Sequence, residues 1–268
     1  MPQRFRDGDQ RLILARYRTG EARMRSASAV AAVLAVLAFS GGARAQNTDL
    51  LLVLAADVSR SIDEGEFDLQ RKGYTAALTD PRVLATIRGG ASDNIAVCFV
   101  EWSGAGEQMV VADWTLIHDD EDAGAMAAAI LAAPRSFIGR TSISGAIDFA
   151  MERFAAAQPR SRRRIIDISG DGTNNSGRPI TEARDQAVAQ GVTINGLAII
   201  NDRPNPGYAF HTQPPGGLPE WYRQNVIGGP GAFLRVVEDF HSFADAMTNK
   251  LINEIAAVDP EARSAALR

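Results

Sequence analysis

Residues 50–55 read LLLVLA, and this run constrains the chain more than any other feature. An extended segment that is apolar at every position buries both faces, which happens where helices cover a sheet on each side. The same rhythm continues downstream. Phe67, Tyr74, Ala77 and Leu78 recur at helical spacing and stop before Pro81. Residues 94–102 (NIAVCFVEW) and 108–114 (QMVVADW) look like strands, and the glycine-containing segment 103–107 between them reads as a hairpin turn. Helical patterns cover 119–133, whose first turn is crowded with acids, and 142–154. Strand 164–169 (RIIDIS), helix 180–190 ended by Gly191, and strands 192–200 and 233–237 come next. Phe240, Phe243, Met247, Leu251 and Ile255 mark a final amphipathic helix. Strands alternating with helices predict an α/β fold: a doubly wound, mostly parallel sheet with one antiparallel edge strand, flanked by helices.

The first 45 residues follow a different logic. Residues 26–39 (SASAVAAVLAVLAF) are apolar but too few to span a bilayer comfortably. Arg23 and Arg25 precede them and Ala43-Arg44-Ala45 follows, so 1–45 is predicted to be a secretory signal peptide cut after Ala45. The alternative is a buried or membrane-anchoring helix. Met24 offers a second start, from which residues 1–23 would not be translated. Removing 1–45 leaves 20 basic and 29 acidic residues, a formal charge of −9. That balance argues against nucleic acid or anionic lipid as partner. Residues 46–258 suit one large α/β domain, and 259–268 is expected to be a frayed tail. No second apolar run approaches spanning length, so no membrane insertion is expected after cleavage, and export to the periplasm or the medium follows. Cys98 is the only cysteine and sits in an apolar run, as a buried, inert thiol would.

Residues 201–231 break the rhythm with six of the 12 prolines and six of the 24 glycines. Tyr208, Phe210, Trp221 and Tyr222 stand among them, and long irregular segments are often functional. These four aromatics are candidates for a partner-binding loop; the alternative is a surface excursion that they pin down.

The residues that carry chemistry lie at strand ends. Asp57-Val58-Ser59-Arg60-Ser61 follows the first apolar run, and in extended backbone its three oxygen-bearing side chains would share one side. Asp171-Gly172 follows strand 164–169, and Thr141 precedes the helix beginning near Ser142. In open parallel sheets, ligands bind beyond the carboxyl ends of the strands. Each residue also has a local explanation: Ser61 with Glu64 as a capping box, Thr141 as a helix N-cap, Asp171-Gly172 as a turn. Local capping does not require two carboxylates and three hydroxyls on three separate loops. As a set, Asp57, Ser59, Ser61, Thr141 and Asp171 are hard oxygen donors suited to Mg²⁺ first, then Mn²⁺ or Ca²⁺, rather than Zn²⁺. Two acids roughly balance the ion and leave it electrophilic towards an outside carboxylate.

The D-x-S-x-S motif at Asp57, Ser59 and Ser61, with Thr141 and Asp171 downstream, resembles the metal-ion-dependent adhesion site (MIDAS) of von Willebrand factor A domains. The likeness covers roughly residues 49–255 and implies a Rossmann-like fold. It also implies that the serines and threonine hold the ion directly or nearly so, with the aspartates acting through water. The stretches DISGDGTNN (167–175) and IGGPGAF (227–233) resemble, more narrowly, exported bacterial proteins of unassigned function. Two features depart from the wider pattern: no acid follows Asp171 in Thr173-Asn174-Asn175, and residues 201–231 are an addition. The expected function is a cation-dependent protein-binding module that recognises a carboxylate on a protein or peptide partner. A metal-dependent hydrolase and a metal-free domain of the same fold are the alternatives. Against an enzyme, His118, His211 and His241 are scattered and none is expected to neighbour the proposed ligands, no G-x-S-x-G elbow occurs and the first loop lacks a second aspartate.

Overall fold

Seven residues of strand β1 (Leu51–Asp57) are buried without exception, and they form the middle of the sheet. The computed structural model describes residues 46–200, 209–238 and 240–257, with backbone alone for 209 and 210. The predicted export segment and the tail beyond 258 lie outside these residues. Strands β2 (Ile95–Trp102), β3 (Gln108–Ile117), β4 (Arg164–Gly170), β5 (Thr193–Ile199) and β6 (Leu234–Val237) complete a six-stranded sheet. Its order is β3-β2-β1-β4-β5-β6. All neighbours run parallel except β3, which pairs antiparallel with β2 at the edge. The expected doubly wound sheet with one antiparallel edge strand is therefore the observed one. The direction of winding reverses between β1 and β4, and a crevice opens at such a switch point beyond the strands' carboxyl ends.

Alternation along β1 divides the core. Leu50, Leu52 and Leu54 face one layer, with Tyr74 and Leu78 of α1 (Glu64–Leu78), Met126 and Ile130 of α3 (Asp120–Ala132) and Phe243, Met247 and Leu251 of α8 (Phe243–Ala256). Leu51, Val53 and Ala55 face the other, with Ile143 and Ile147 of α4 (Ile143–Ala156), Ala183 and Ala187 of α5 (Ile180–Ala189) and Tyr222 of α7 (Leu218–Asn225). Burial on both faces is why β1 lacks the polar alternation of a one-sided strand.

Three local expectations differ from the structure. Pro81 does not only end a helix: it opens α2 (Pro81–Arg88), with Asp80 as N-cap and proline's fixed φ suiting the first helical turn. The capping box of α1 is Asp63 with Glu66, not Ser61 with Glu64. Residues 201–231 are not a bare loop, since they include α6 (Ala209–Thr212) and α7. Among the described residues, no helix is long and apolar enough to cross a membrane.

Candidate metal site at the sheet switch point

β1 ends at Asp57, and a turn rather than extended backbone brings its hydroxyls together. The amide of Ser59 donates to Asp57 Oδ1 at 2.7 Å, and the amide of Ile62 donates to the carbonyl of Ser59 at 3.1 Å. The shared side of Asp57, Ser59 and Ser61 thus comes from an aspartate-capped turn. Ser59 Oγ and Ser61 Oγ are 3.2 Å apart, and Ser61 Oγ donates to Asp171 Oδ1 at 2.6 Å. With Asp63 capping α1, Ser61 is free for this bridge. Thr141 is released in the same way, because Ser142 is the N-cap of α4 and accepts from the amide of Gly145.

Arg135 shapes the first loop. Its Nη2 donates to the carbonyls of Val58, Ser59 and Ile62 at 2.9, 3.0 and 2.8 Å, and Nη1 pairs with Glu64 at 2.9 Å. The Thr141 loop is clamped by the segment after β4. Asn175 Oδ1 accepts from the amide of Thr141 at 3.0 Å, and the amides of Asn175 and Ser176 donate to its carbonyl. Asn174 Oδ1 accepts from the amide of Ser144 at 3.0 Å. The asparagines that stand where no further acid occurs therefore join the two loops.

His211, on α6, stands at the site. Its Nε2 shares a hydrogen bond of 2.9 Å with Thr141 Oγ1, and Nδ1 shares one of 3.0 Å with Thr173 Oγ1. Its ring rests on Gly172, where a Cβ would come within 2.2 Å of Nε2, so glycine is required by close approach. The expectation that no histidine neighbours the candidate ligands is corrected: 70 residues separate His211 from Thr141 in sequence, a distance only the fold closes.

Asp57 and Asp171 are both fully buried. Burial first, and then the charge of Asp171, push the Asp57 carboxyl well above its ordinary value, against the bonds from Ser59 and the charge of Arg135. Among the described residues, Asp57 Oδ2 has no hydrogen-bond partner. Burial, followed by the charges of Asp57 and Asp171, also raises the Tyr222 hydroxyl. Tyr222 is fully buried and so offers nothing to a partner, which corrects its reading as a loop contact. Trp221 is half-buried and packs edge-on against Tyr222, with ring centroids 5.8 Å apart. Tyr208 and the Phe210 side chain lie outside the described residues. For His211, burial and the charge of Arg140 lower the pKa.

Among the described residues, no three His, Cys, Asp or Glu side chains group closely enough to hold an ion by themselves, so an ion held here would need hydroxyl ligands as well. The spacing fits that role. Donors about 2.1 Å from an octahedral ion lie about 3.0 Å from one another. The 3.2 Å between the serine hydroxyls and the 2.6 Å from Ser61 to Asp171 bracket that value.

A family described as "Protein of unknown function (DUF1194)" matches residues 47–259, most of the chain. The chain belongs to the DUF1194 family. No curated protein sequence matches it. Solved structures similar to this DUF1194 chain share its fold at low identity. Proximal thread matrix protein 1 from the mussel byssus has a TM-score of 0.58 and 16% identity, over 80% of this chain and 50% of that one. A von Willebrand factor type A protein from Catenulispora acidiphila has a TM-score of 0.54 and 15% identity, over 78% and 43%. The pilus adhesin SpaC from Lactobacillus rhamnosus GG has a TM-score of 0.56 and 13% identity, over 78% and 31%. The DUF1194 chain thus has the von Willebrand factor A fold and spans half or less of the length of these proteins.

Proposed function

We propose that this protein is an exported, divalent-cation-dependent binding module that captures a carboxylate of a protein or peptide partner. One observation carries the reading: Asp57 Oδ2 is buried, with no partner among the described residues, beside a second buried acid and within a set of hydroxyls that add no charge. Ser59, Ser61, Thr141 and Asp171, with Asp57, would hold the ion, Mg²⁺ first by donor type. A bound ion would supply an electrophilic position for an incoming carboxylate; the residues themselves fix the loops and balance the charge. Support by likeness comes from the mussel matrix protein, which has been solved with a zinc-occupied MIDAS motif, and from the pilus adhesin.

Thermal unfolding in EDTA and in millimolar Mg²⁺ or Mn²⁺ tests the site. An ion present at 100 times its Kd stabilises the fold by about 2.7 kcal/mol, and Asp57→Ala should remove that gain. Absence of any cation-dependent shift in the unaltered protein ends the reading. A partner captured from envelope extract should be released by EDTA, and EDTA-resistant capture would refute the ion bridge. Metal-assisted hydrolysis gains one observation, His211 at the site. Turnover of ester, phosphoester or peptide substrates that is lost in both Asp57→Ala and His211→Ala would replace the binding reading.

A further inference from the structure

His211 touches the candidate site at two points and is held from behind. Nε2 lies 2.9 Å from Thr141 Oγ1, a separation that suits two donors on neighbouring corners of one coordination sphere, which stand about 3.0 Å apart. The Nε2 edge also lies against Gly172, next in sequence to Asp171. On the far side of the ring, Thr173 Oγ1 faces Nδ1 at 3.0 Å. A hydroxyl that accepts from Nδ1–H leaves the lone pair on Nε2, facing the ligand hydroxyl. The Asn175 side-chain amide, 3.3 Å from Nδ1 and 3.5 Å from Nε2, can donate to either nitrogen, so a donor role for Nε2 takes the Nδ1–H tautomer as its premise. Metal-binding histidines are oriented by the same kind of second contact. The helix carrying His211 is itself tied down, because the amide of Thr173 donates to the carbonyl of His211 at 3.1 Å.

We propose that His211 Nε2 is an additional, nitrogen donor to the cation site, placed beside Thr141, and that it biases the site from Mg²⁺ towards a borderline transition ion such as Co²⁺ or Zn²⁺. The inference rests on the metal-site reading above and changes its chemistry. Oxygen donors alone suit Mg²⁺, whereas imidazole suits transition ions. Gly172 becomes a selectivity device in this account, since any side chain there would push the ring away. The donor also comes from residues 201–231, the addition to the wider von Willebrand factor A pattern.

Any oxygen site holds Zn²⁺ or Co²⁺ more tightly than Mg²⁺, so the preference of the unaltered protein decides nothing by itself. The informative quantity is its change on substitution. Calorimetric titration of Mg²⁺, Mn²⁺, Co²⁺ and Zn²⁺ into the metal-free protein should be compared with His211→Ala and Gly172→Ala. Loss of the imidazole should weaken Co²⁺ and Zn²⁺ on the order of tenfold or more while Mg²⁺ changes less than about threefold. Gly172→Ala, which keeps the imidazole but displaces it, should behave in the same way. Pulsed electron paramagnetic resonance of the Mn²⁺ complex should show nitrogen coupling that His211→Ala abolishes. Unchanged ion ratios in both variants, or no nitrogen coupling in the unaltered protein, overturns the inference and leaves the oxygen site standing. Failure of every ion to bind the unaltered protein overturns the site and the inference together, and retained Mg²⁺ binding in His211→Ala separates the two outcomes.

Discussion

Arg135→Ala separates two roles that one guanidinium could have near the candidate site. Its Nη2 donates to the carbonyls of Val58, Ser59 and Ile62, which form the turn carrying both serines. The side chain is only 9% exposed, so these bonds are shielded from water. Hydrogen bonds to a charged group contribute about 1.5–3 kcal/mol each, which sets an upper bound of about 5–9 kcal/mol for three. Water entering the vacated space re-satisfies the carbonyls, and about 1 kcal/mol per bond remains as net loss. The expected cost is therefore about 3 kcal/mol, or about 6–12 °C in Tm for a domain of this size. Arg135→Lys keeps the charge but loses the fork that also reaches Glu64 through Nη1 and the carbonyl of Phe137 through Nε, so it should recover only part of the loss. Cation affinity gives the decisive sign. Arg135 is a positive charge whose field reaches Asp57, so Coulomb's law alone predicts tighter cation binding once it is removed. If the fork's main work is to shape the turn, affinity falls instead. Urea unfolding in EDTA and Mg²⁺ titration of the two variants measure both quantities. A loss below about 1 kcal/mol, or tighter binding by the alanine variant, refutes the role given to Arg135.

The remaining expectations use other buried groups. The folded Asp57 carboxyl has a raised pKa, so its contribution to metal-free stability is full below the unfolded value near 3.9 and is lost as pH rises through the folded value. Stability measured against pH in EDTA should therefore favour Asp57→Asn over the unaltered protein increasingly towards neutrality, and an equal or opposite difference contradicts this. Lys250→Met strands Asp167 and Glu254, which lie 2.7 and 2.5 Å from its Nζ with all three side chains fully buried. It should cost about 3–5 kcal/mol in urea unfolding, with most of that regained when Asp167→Asn and Glu254→Gln are added; a tolerated single substitution would disprove the account. Burial pushes the Cys98 thiol up to about 12, so a thiol reagent at pH 8 should label it only as the protein unfolds, and rapid labelling of the folded chain would contradict that.

What the sequence made legible was periodic. β1, β2, β4 and β5 were readable because burial on both faces leaves continuous apolar runs. β3 and β6 are instead partly exposed edge strands, and the antiparallel edge followed from the short glycine turn at 103–107. Helix α2 was missed because Pro81 marks a helix start as readily as a stop, and only the Asp80 cap distinguishes them. The capping pair of α1 was displaced by two residues, since Ser61–Glu64 and Asp63–Glu66 satisfy the same spacing rule. Asp57, Ser59, Ser61 and Asp171 are joined by hydrogen bonds, but through a turn and not through strand alternation. His211 and Arg135 left no local signal, because their contacts with Thr141 and Ser59 span 70 and 76 residues. The asparagines after Asp171 did leave one: a polar stretch without acids, whose work is to clamp a neighbouring loop.

Two buried acid clusters in one sheet bear on the proposal that the candidate site takes a cation. Asp167, midway along β4, meets Lys250 from α8, and Glu254 completes the group with Asn195 donating to it at 2.8 Å. Glu254 is pushed up to about 7, by burial first and then by Asp167, so near neutral pH it shares in holding a proton and the cluster balances with little net charge. The fold there supplies its own cation. At the carboxyl ends of β1 and β4 the acid is equally buried, yet the polar side chains gathered around Asp57 and Asp171 are mainly hydroxyls, which solvate charge without cancelling it. Arg135 spends its guanidinium on backbone carbonyls and Glu64. Desolvating an ionised carboxylate costs several kcal/mol, so a site left this way either keeps a proton on Asp57 or takes its positive charge from solution. Hydroxyls drawn from separate loops add nothing needed by a protonated acid, but they would supply oxygen ligands to the proposed ion. The comparison within one sheet thus favours an ion over a proton, and the pH dependence of Asp57→Asn with and without Mg²⁺ tests that choice: saturating ion should reverse the sign of the difference.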